Sequence, residues 1–207
     1  MTPLLQILEH KIVAIVRGMP PKDIVDIASA LYNGGVRILE ITLNSRDALP
    51  LIEQLSHEFR GKMLIGAGTV LNTKDASNAI TAGAAFLISP SLDIAVIKAA
   101  KNAGVVSIPG AFTPTEILSA YNNGADIVKV FPALSVDYIK NILAPLNHIP
   151  VMPTGGVDAF NIKAFAATGA VAFGIGSALV KNSSIINDIY LQELTVKAEK
   201  LINALKN

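Results

Sequence analysis

NGADIVKV, residues 123–130, joins two kinds of local structure within eight residues. Asn123-Gly124 has the character of a helix end, because glycine adopts the left-handed conformation that stops a helix without a Cβ penalty. The apolar run that follows does not alternate with polar residues, which suits a strand covered on both faces. The same unit recurs at NGGVRILEI (33–41), AGAAFLIS (82–89), AGVVSIP (103–109) and TGAVAFGI (168–175). Such recurrence predicts a parallel sheet whose strands are linked by helices.

Filling in between these units places strands near 12–17, 36–42, 63–67, 85–89, 105–108, 126–131, 150–153 and 171–175. Helices are expected near 22–33, 46–57, 73–81, 92–101, 114–121, 136–145, 159–166 and 184–205, with a short one at 3–10 before the first strand. Eight strand–helix pairs predict an α/β protein, a single-domain (β/α)8 TIM barrel over residues 1–207. At 207 residues the chain is shorter than the typical ~250, so short helices and tight loops are expected. A doubly wound open sheet is the alternative, but it usually carries fewer strands in this length.

Composition narrows the function. Hydrophobic residues make up 51% of the chain and aromatic ones 5%, so the core is built from Ile, Val, Leu and Ala. A net charge of +1 argues against a basic surface for nucleic acid. The absence of cysteine excludes disulfides, thiolate metal sites and a cysteine nucleophile. His10, His57 and His148 are far apart, and none stands in a metal-ligand motif. The opening MTPLLQILEHK has neither a basic leader segment nor a long apolar run, and no stretch is long enough for a membrane span. A cytoplasmic protein is expected.

Chemistry in such a barrel sits at the C-terminal ends of the strands. Lys129 lies between Val128 and Val130, and a lysine inside an apolar strand needs water, a partner or a chemical role. Burial lowers an amine's pKa and leaves free amine able to attack a carbonyl. The structural alternative is an edge lysine whose head reaches solvent. Glu40 is a carboxylate in another apolar strand; it could pair with Lys129, shuttle protons beside it, or both. Arg17, at the end of the first strand, suits a substrate carboxylate or a rim salt bridge. Gly155-Gly156 and Gly176-Ser177 follow strands seven and eight, where glycine backbone N–H groups often hold phosphate; their alternative is tight turns. Thr69 and Thr154 also stand at strand ends, though threonine is common in strands. Together these residues suit a carbonyl substrate bearing a phosphate and a carboxylate, activated as a Schiff base without a metal.

The stretches GGVRILEITL, GAGTVLN, FLISPSLD, IPGAFTPTE, VKVFPA, PTGGV and GIGSALV occur in one order over about residues 12–180. In this the chain resembles the class I aldolases of the 2-keto-3-deoxy-6-phosphogluconate (KDPG) and 4-hydroxy-2-oxoglutarate (KHG) aldolase family. The resemblance implies Lys129 as the Schiff-base lysine and Glu40 as the general acid and base. It implies Thr69 at the pyruvyl carboxylate, Pro90 and Phe131 against the substrate, and Thr154 near the C4 hydroxyl. Gly155, Gly156, Gly176 and Ser177 would lie near the phosphate. It further implies a homotrimer, no cofactor, and cleavage of the phosphorylated keto acid to pyruvate and glyceraldehyde 3-phosphate. Family members with the pattern E-V-T-L-R hold the carboxylate with an arginine where this chain has Asn44. Other branches, phosphogalactonate aldolases included, have Asn there and an arginine at the end of strand one, so the carboxylate role passes to Arg17. Thr154 resembles the phosphogluconate enzymes and favours gluconate stereochemistry. A galactonate-specific aldolase, a phosphosugar isomerase and a non-catalytic sugar-phosphate-binding protein are the alternatives.

Overall fold

A computed structural model describes residues 1–183 and 185–206. The chain opens with helix α1 (Pro3–His10), capped by Thr2, and strand β1 (Ile12–Val16). A 3-10 turn (Pro21–Asp23) then leads into α2 (Ile24–Asn33). β2 (Ile38–Thr42), α3 (Ala48–Glu58), β3 (Leu64–Gly68), α4 (Thr73–Thr81), β4 (Phe86–Ile88), α5 (Ile94–Asn102) and β5 (Val106–Ile108) follow in alternation. A two-residue strand, β6 (Gly110–Ala111), precedes α6 (Pro114–Asn122), β7 (Val128–Val130), α7 (Val136–Leu143) and β8 (Val151–Pro153). α8 (Ile162–Ala166), β9 (Phe173–Ile175) and α9 (Asp188–Lys206) complete the order. The last helix begins at Asp188 rather than at 184, a position that itself lies outside the described residues.

Each recurring unit behaves as its residues dictate. Gly35, Gly83, Gly104, Gly124 and Gly169 all take positive φ, between 70° and 97°, directly between a helix and the next strand. Asn72, Asp93, Thr113 and Ser135 cap the helices that follow them by accepting backbone N–H groups, which offsets the unpaired donors of a helix start.

The closed eight-stranded barrel is not what the strands form. Among the described residues nine strands make two parallel sheets: a six-stranded half-barrel in the order β5-β4-β3-β2-β1-β9, and a three-stranded sheet β6-β7-β8. Two prolines explain the breaks. A residue's N–H and C=O point to the same side of its strand, so side preference alternates with parity. The carbonyls of Ser107 and Pro109 accept N–H groups of Ile127 and Lys129, so residue 109 faces β7. Proline has no N–H to give there, and the fifth strand splits into β5 and β6 around it. At the other seam the Thr154 N–H is directed at Val130 of β7, which leaves residue 153 facing β9. Pro153 again lacks the donor. An isolated Thr154–Gly174 bridge and the bond from Val171 N–H to the Val151 carbonyl cross that gap.

Two apolar clusters result. The larger lies between the sheets and the helices, with Leu31, Leu39, Ile52, Ile97, Phe165 and Leu194 among its members. The smaller fills the interior between the two sheets: Val13, Ile38, Phe86, Ile88, Ile108, Ile127 and Met152, with Ile7 of α1 covering the end where the strands begin. Fully burying each such side chain stabilises the fold by about 1.5–3 kcal/mol.

Candidate active site

Side chains alternate between faces along a strand, so the residues two steps beyond the interior cluster share its face. From Val13 that step reaches Ile15 and then Arg17; from Ile38, Glu40; from Ile127, Lys129; from Met152, Thr154; from Ala172, Gly174 and Gly176. Register agrees, with Ile15 opposite Glu40 and Lys129 opposite Met152. Arg17, Glu40, Lys129 and Thr154 therefore form the layer directly above the apolar interior, at the C-terminal ends of the strands.

A cavity of about 520 Å³ opens over this layer. Arg17, Lys129, Phe131, Thr154, Gly155, Gly156, Gly176 and Ser177 all line it. Two other hollows, of about 510 and 450 Å³, lie toward the opposite ends of β3 and β4, beside Arg37, Arg60 and Gly83, and hold none of the selected residues.

Lys129 is 4% exposed, with its Nζ 4.9 Å from the centre of the Phe131 ring. Burial pushes its pKa below the ordinary lysine value; the Glu40 carboxylate opposes that shift and the Arg17 guanidinium adds to it. Glu40 is fully buried, and neither carboxylate oxygen has a hydrogen-bond partner among the described residues. Burial raises its pKa, against the attraction of Lys129 and Arg17. Both shifts run toward the neutral forms, so desolvation outweighs the attraction between the opposite charges. The result is an amine and a carboxyl group each biased toward its neutral form, side by side.

Glycine makes room for this pair. A Cβ built on Gly68 would overlap the Glu40 carboxylate, and one on Gly174 would overlap the Thr154 hydroxyl. Gly155 and Gly156 take φ of 83° and 80°, a left-handed pair that side chains with a Cβ rarely adopt. The turn is tied down by Asn161, whose Nδ2 donates to the Gly156 carbonyl at 2.7 Å, while Asp158 accepts the Phe160 and Asn161 N–H groups. Among the described residues no group of three His, Asp or Glu side chains is arranged to hold a metal ion.

The KDPG and KHG aldolase model matches residues 5–195. The chain belongs to the KDPG and KHG aldolase family. It is thus an aldolase, a carbon–carbon lyase. A probable 2-dehydro-3-deoxy-6-phosphogalactonate aldolase of Rhizobium meliloti (strain 1021) is 37% identical over 88% of this chain and 87% of its own length. The KHG/KDPG aldolase of Escherichia coli (strain K12) is 36% identical over 75% of this chain and 74% of its own. Among solved structures, the KDPG aldolase of Legionella pneumophila, with pyruvate captured as a covalent carbinolamine, superposes with a TM-score of 0.87 at 25% identity, over 97% of this chain and 98% of that one.

Three selected residues stand apart from the aldolase's cavity wall. Glu40 lies beneath it, reaching Lys129 and Arg17 by charge. Thr69 is half-buried in a left-handed conformation, φ 58°, just past β3. Pro90 packs its backbone against Gly110. Asn44 is exposed in the loop after β2. Sequence reasoning missed Asp158, Gly174 and Asn182, which also line the cavity. Gly174 shares the parity of Gly176, so strand alternation alone could have found it. Asn182 sits in the irregular segment between β9 and α9, where no periodic signal exists. No helix among the described residues is long and apolar enough to cross a membrane.

Proposed function

We propose that this aldolase is a Schiff-base enzyme that cleaves 2-keto-3-deoxy-6-phosphogluconate to pyruvate and glyceraldehyde 3-phosphate. The observation that carries the reading is the buried Lys129, held toward its free amine above an apolar interior and beside an unbonded Glu40. The pyruvate carbinolamine in the Legionella relative supports it, since a carbinolamine is the adduct of an amine and a carbonyl. Lys129 Nζ attacks C2, and loss of water gives the iminium. Glu40, through a water, takes the C4 hydroxyl proton. The C3–C4 electron pair moves onto the iminium to leave an enamine, and glyceraldehyde 3-phosphate departs. Glu40 returns the proton to C3, and hydrolysis frees pyruvate. Its raised pKa suits both the acid and the base step.

In this reading Arg17 holds the substrate carboxylate, with Thr69 close to it, and Pro90 and Phe131 bound the substrate chain. Thr154 meets the C4 hydroxyl, while Gly155, Gly156, Gly176 and Ser177 hold the phosphate. The unphosphorylated 4-hydroxy-2-oxoglutarate is a second substrate. The galactonate epimer is the competing one, favoured by the pairing of Arg17 with Asn44 and by the name of the Rhizobium relative. Side-by-side kcat/KM values for the two epimers decide between them. The reading includes a homotrimer in the cytoplasm. Exposed Phe160, Leu134 and Leu71 support a surface covered by other copies, and a monomer mass by light scattering would refute it.

The central test is intact-mass spectrometry after incubation with pyruvate and borohydride, with peptide mapping. A pyruvate-sized adduct on Lys129, absent in a folded Lys129→Ala variant that also lacks turnover, is expected. Turnover by Lys129→Ala would overturn the mechanism.

A further inference from the structure

The peptide groups on both sides of Arg17 are held by hydroxyls from the end of β2 and the loop that follows it. Before it, the Val16 carbonyl accepts from the buried Thr42 hydroxyl at 3.5 Å. After it, the Gly18 N–H donates to Ser45 Oγ at 2.9 Å. Thr42 Oγ1 and Ser45 Oγ are themselves 2.9 Å apart. One assignment of protons satisfies all three contacts: Gly18 N–H to Ser45, Ser45 O–H to Thr42, Thr42 O–H to the Val16 carbonyl. Each hydroxyl then donates once and accepts once, as its inventory allows. The loop is fixed in turn by Ser45 N–H to the Thr42 carbonyl and by Leu43 N–H to the Gly68 carbonyl. Gly18 has φ 63°, so the chain turns sharply immediately after Arg17. Arg17 is exposed on the cavity wall, and among the described residues no salt bridge holds its guanidinium.

We propose that Ser45, through Thr42, is a positioning residue that clamps the backbone of Arg17 so that its guanidinium meets the substrate carboxylate. This rests on the reading of Arg17 as the carboxylate-binding residue. An exposed arginine retains much rotamer freedom, and fixing the main chain on both sides reduces what must be ordered when the carboxylate binds. Ser45 thus acts on the affinity for a carboxylate and not on the bond-breaking step, which belongs to Lys129 and Glu40.

The experiment measures half-saturation of borohydride trapping by pyruvate and by pyruvamide, its uncharged isostere, together with kcat and KM for the phosphorylated keto acid. Ser45→Ala should raise the pyruvate half-saturation and the KM about three- to tenfold, the range of one lost hydrogen bond. The pyruvamide value and kcat should stay within about twofold of the parent, below the change expected for a lost hydrogen bond. Ser45→Thr, which keeps the hydroxyl, should restore pyruvate binding. A parallel shift for pyruvate and pyruvamide, or no shift for either, would overturn the clamp. Arg17→Leu in the same assay separates the two ideas. If it leaves the preference for pyruvate over pyruvamide intact, the Arg17 reading fails and the clamp falls with it. If it erases that preference while Ser45→Ala does not alter it, the clamp alone fails. In the Arg17→Leu background, Ser45→Ala should have no further effect on pyruvate.

Discussion

Replacing Gly68 by alanine tests whether the Glu40 carboxylate must sit where it does. Gly68 ends β3 in register with Thr42, and a Cβ built there would overlap the carboxylate. Glu40 is fully buried, so its head cannot swing into solvent and must retreat by well over an ångström among packed neighbours. Misplacing a reacting group by about 1 Å costs on the order of 10²-fold, and a general acid–base group contributes about 10²–10⁴-fold in all. We expect kcat/KM to fall by about 10²-fold or more, at least ~2.7 kcal/mol in the barrier. Overpacking should cost about 1–3 kcal/mol of stability, a Tm lower by roughly 2–12 °C at this chain length. Turnover and saturating pyruvate–borohydride trapping are measured together, well below the variant's Tm. The adduct on Lys129 should still form, because the amine is untouched. Near-parental kcat/KM would refute the reasoning, since the carboxylate would have moved without chemical consequence. Equal loss of adduct and turnover would also refute it, by pointing to general distortion of the site.

Three further outcomes follow from the same geometry. Burial holds Lys129 below the ordinary lysine pKa of 10.5, so the pyruvate-trapping rate should rise with pH through an inflection below that value. Because Glu40 raises the lysine's pKa and Arg17 lowers it, Glu40→Gln should move the inflection to lower pH and Arg17→Leu to higher pH; an inflection unmoved in both would break the electrostatic link. A Cβ on Gly176 would meet nothing within 4 Å, so Gly176→Ala should fold unchanged or gain about 0.4–1 kcal/mol. It should nevertheless raise KM for the phosphorylated substrate about tenfold, the scale of a hydrogen bond to a charged group, while pyruvate trapping stays the same. Thr154→Val should lower the ratio of gluconate to galactonate kcat/KM about two- to tenfold, and an unchanged ratio would remove Thr154 from epimer recognition.

Much of this was legible because the informative residues violate their surroundings. Lysine and glutamate in apolar strands stand out by composition alone, and Gly35, Gly83, Gly104, Gly124 and Gly169 mark where a helix gives way to a strand. The closed barrel failed for a different reason. Counting strands says how many there are, whereas closure depends on every edge N–H finding an acceptor. Pro109 and Pro153 were visible as strand-end residues, but the side of the strand they face follows only from the hydrogen bonds of their neighbours. Ser45 was illegible for a similar reason. Its hydroxyl reaches Gly18 across 27 positions, and an isolated serine in a loop carries no periodic signal. Thr69 was read from a strand end without parity and Pro90 from the resemblance alone, and neither lines the cavity.

Glu40 and Lys129 stand on different sheets, β2 in the half-barrel and β7 in the small sheet. No ladder of hydrogen bonds joins those two strands, so their approach is set by packing. Ile38 lies two residues before Glu40 and Ile127 two before Lys129, and both belong to the interior cluster that the two sheets share. That cluster supplies the apolar surroundings that push both groups toward neutrality, and it also fixes the distance between them. Water in its place would remove the burial that biases both groups toward their neutral forms. The interior is therefore a part of the proposed chemistry as well as of the fold. The Glu40 carboxylate and the Thr154 hydroxyl fit above it because Gly68 and Gly174 occupy inward positions where a Cβ would overlap them, and Gly66 in turn leaves room for the interior Phe86 ring. A (β/α) scaffold with ordinary β-branched residues at Gly68 and Gly174 would lose that room.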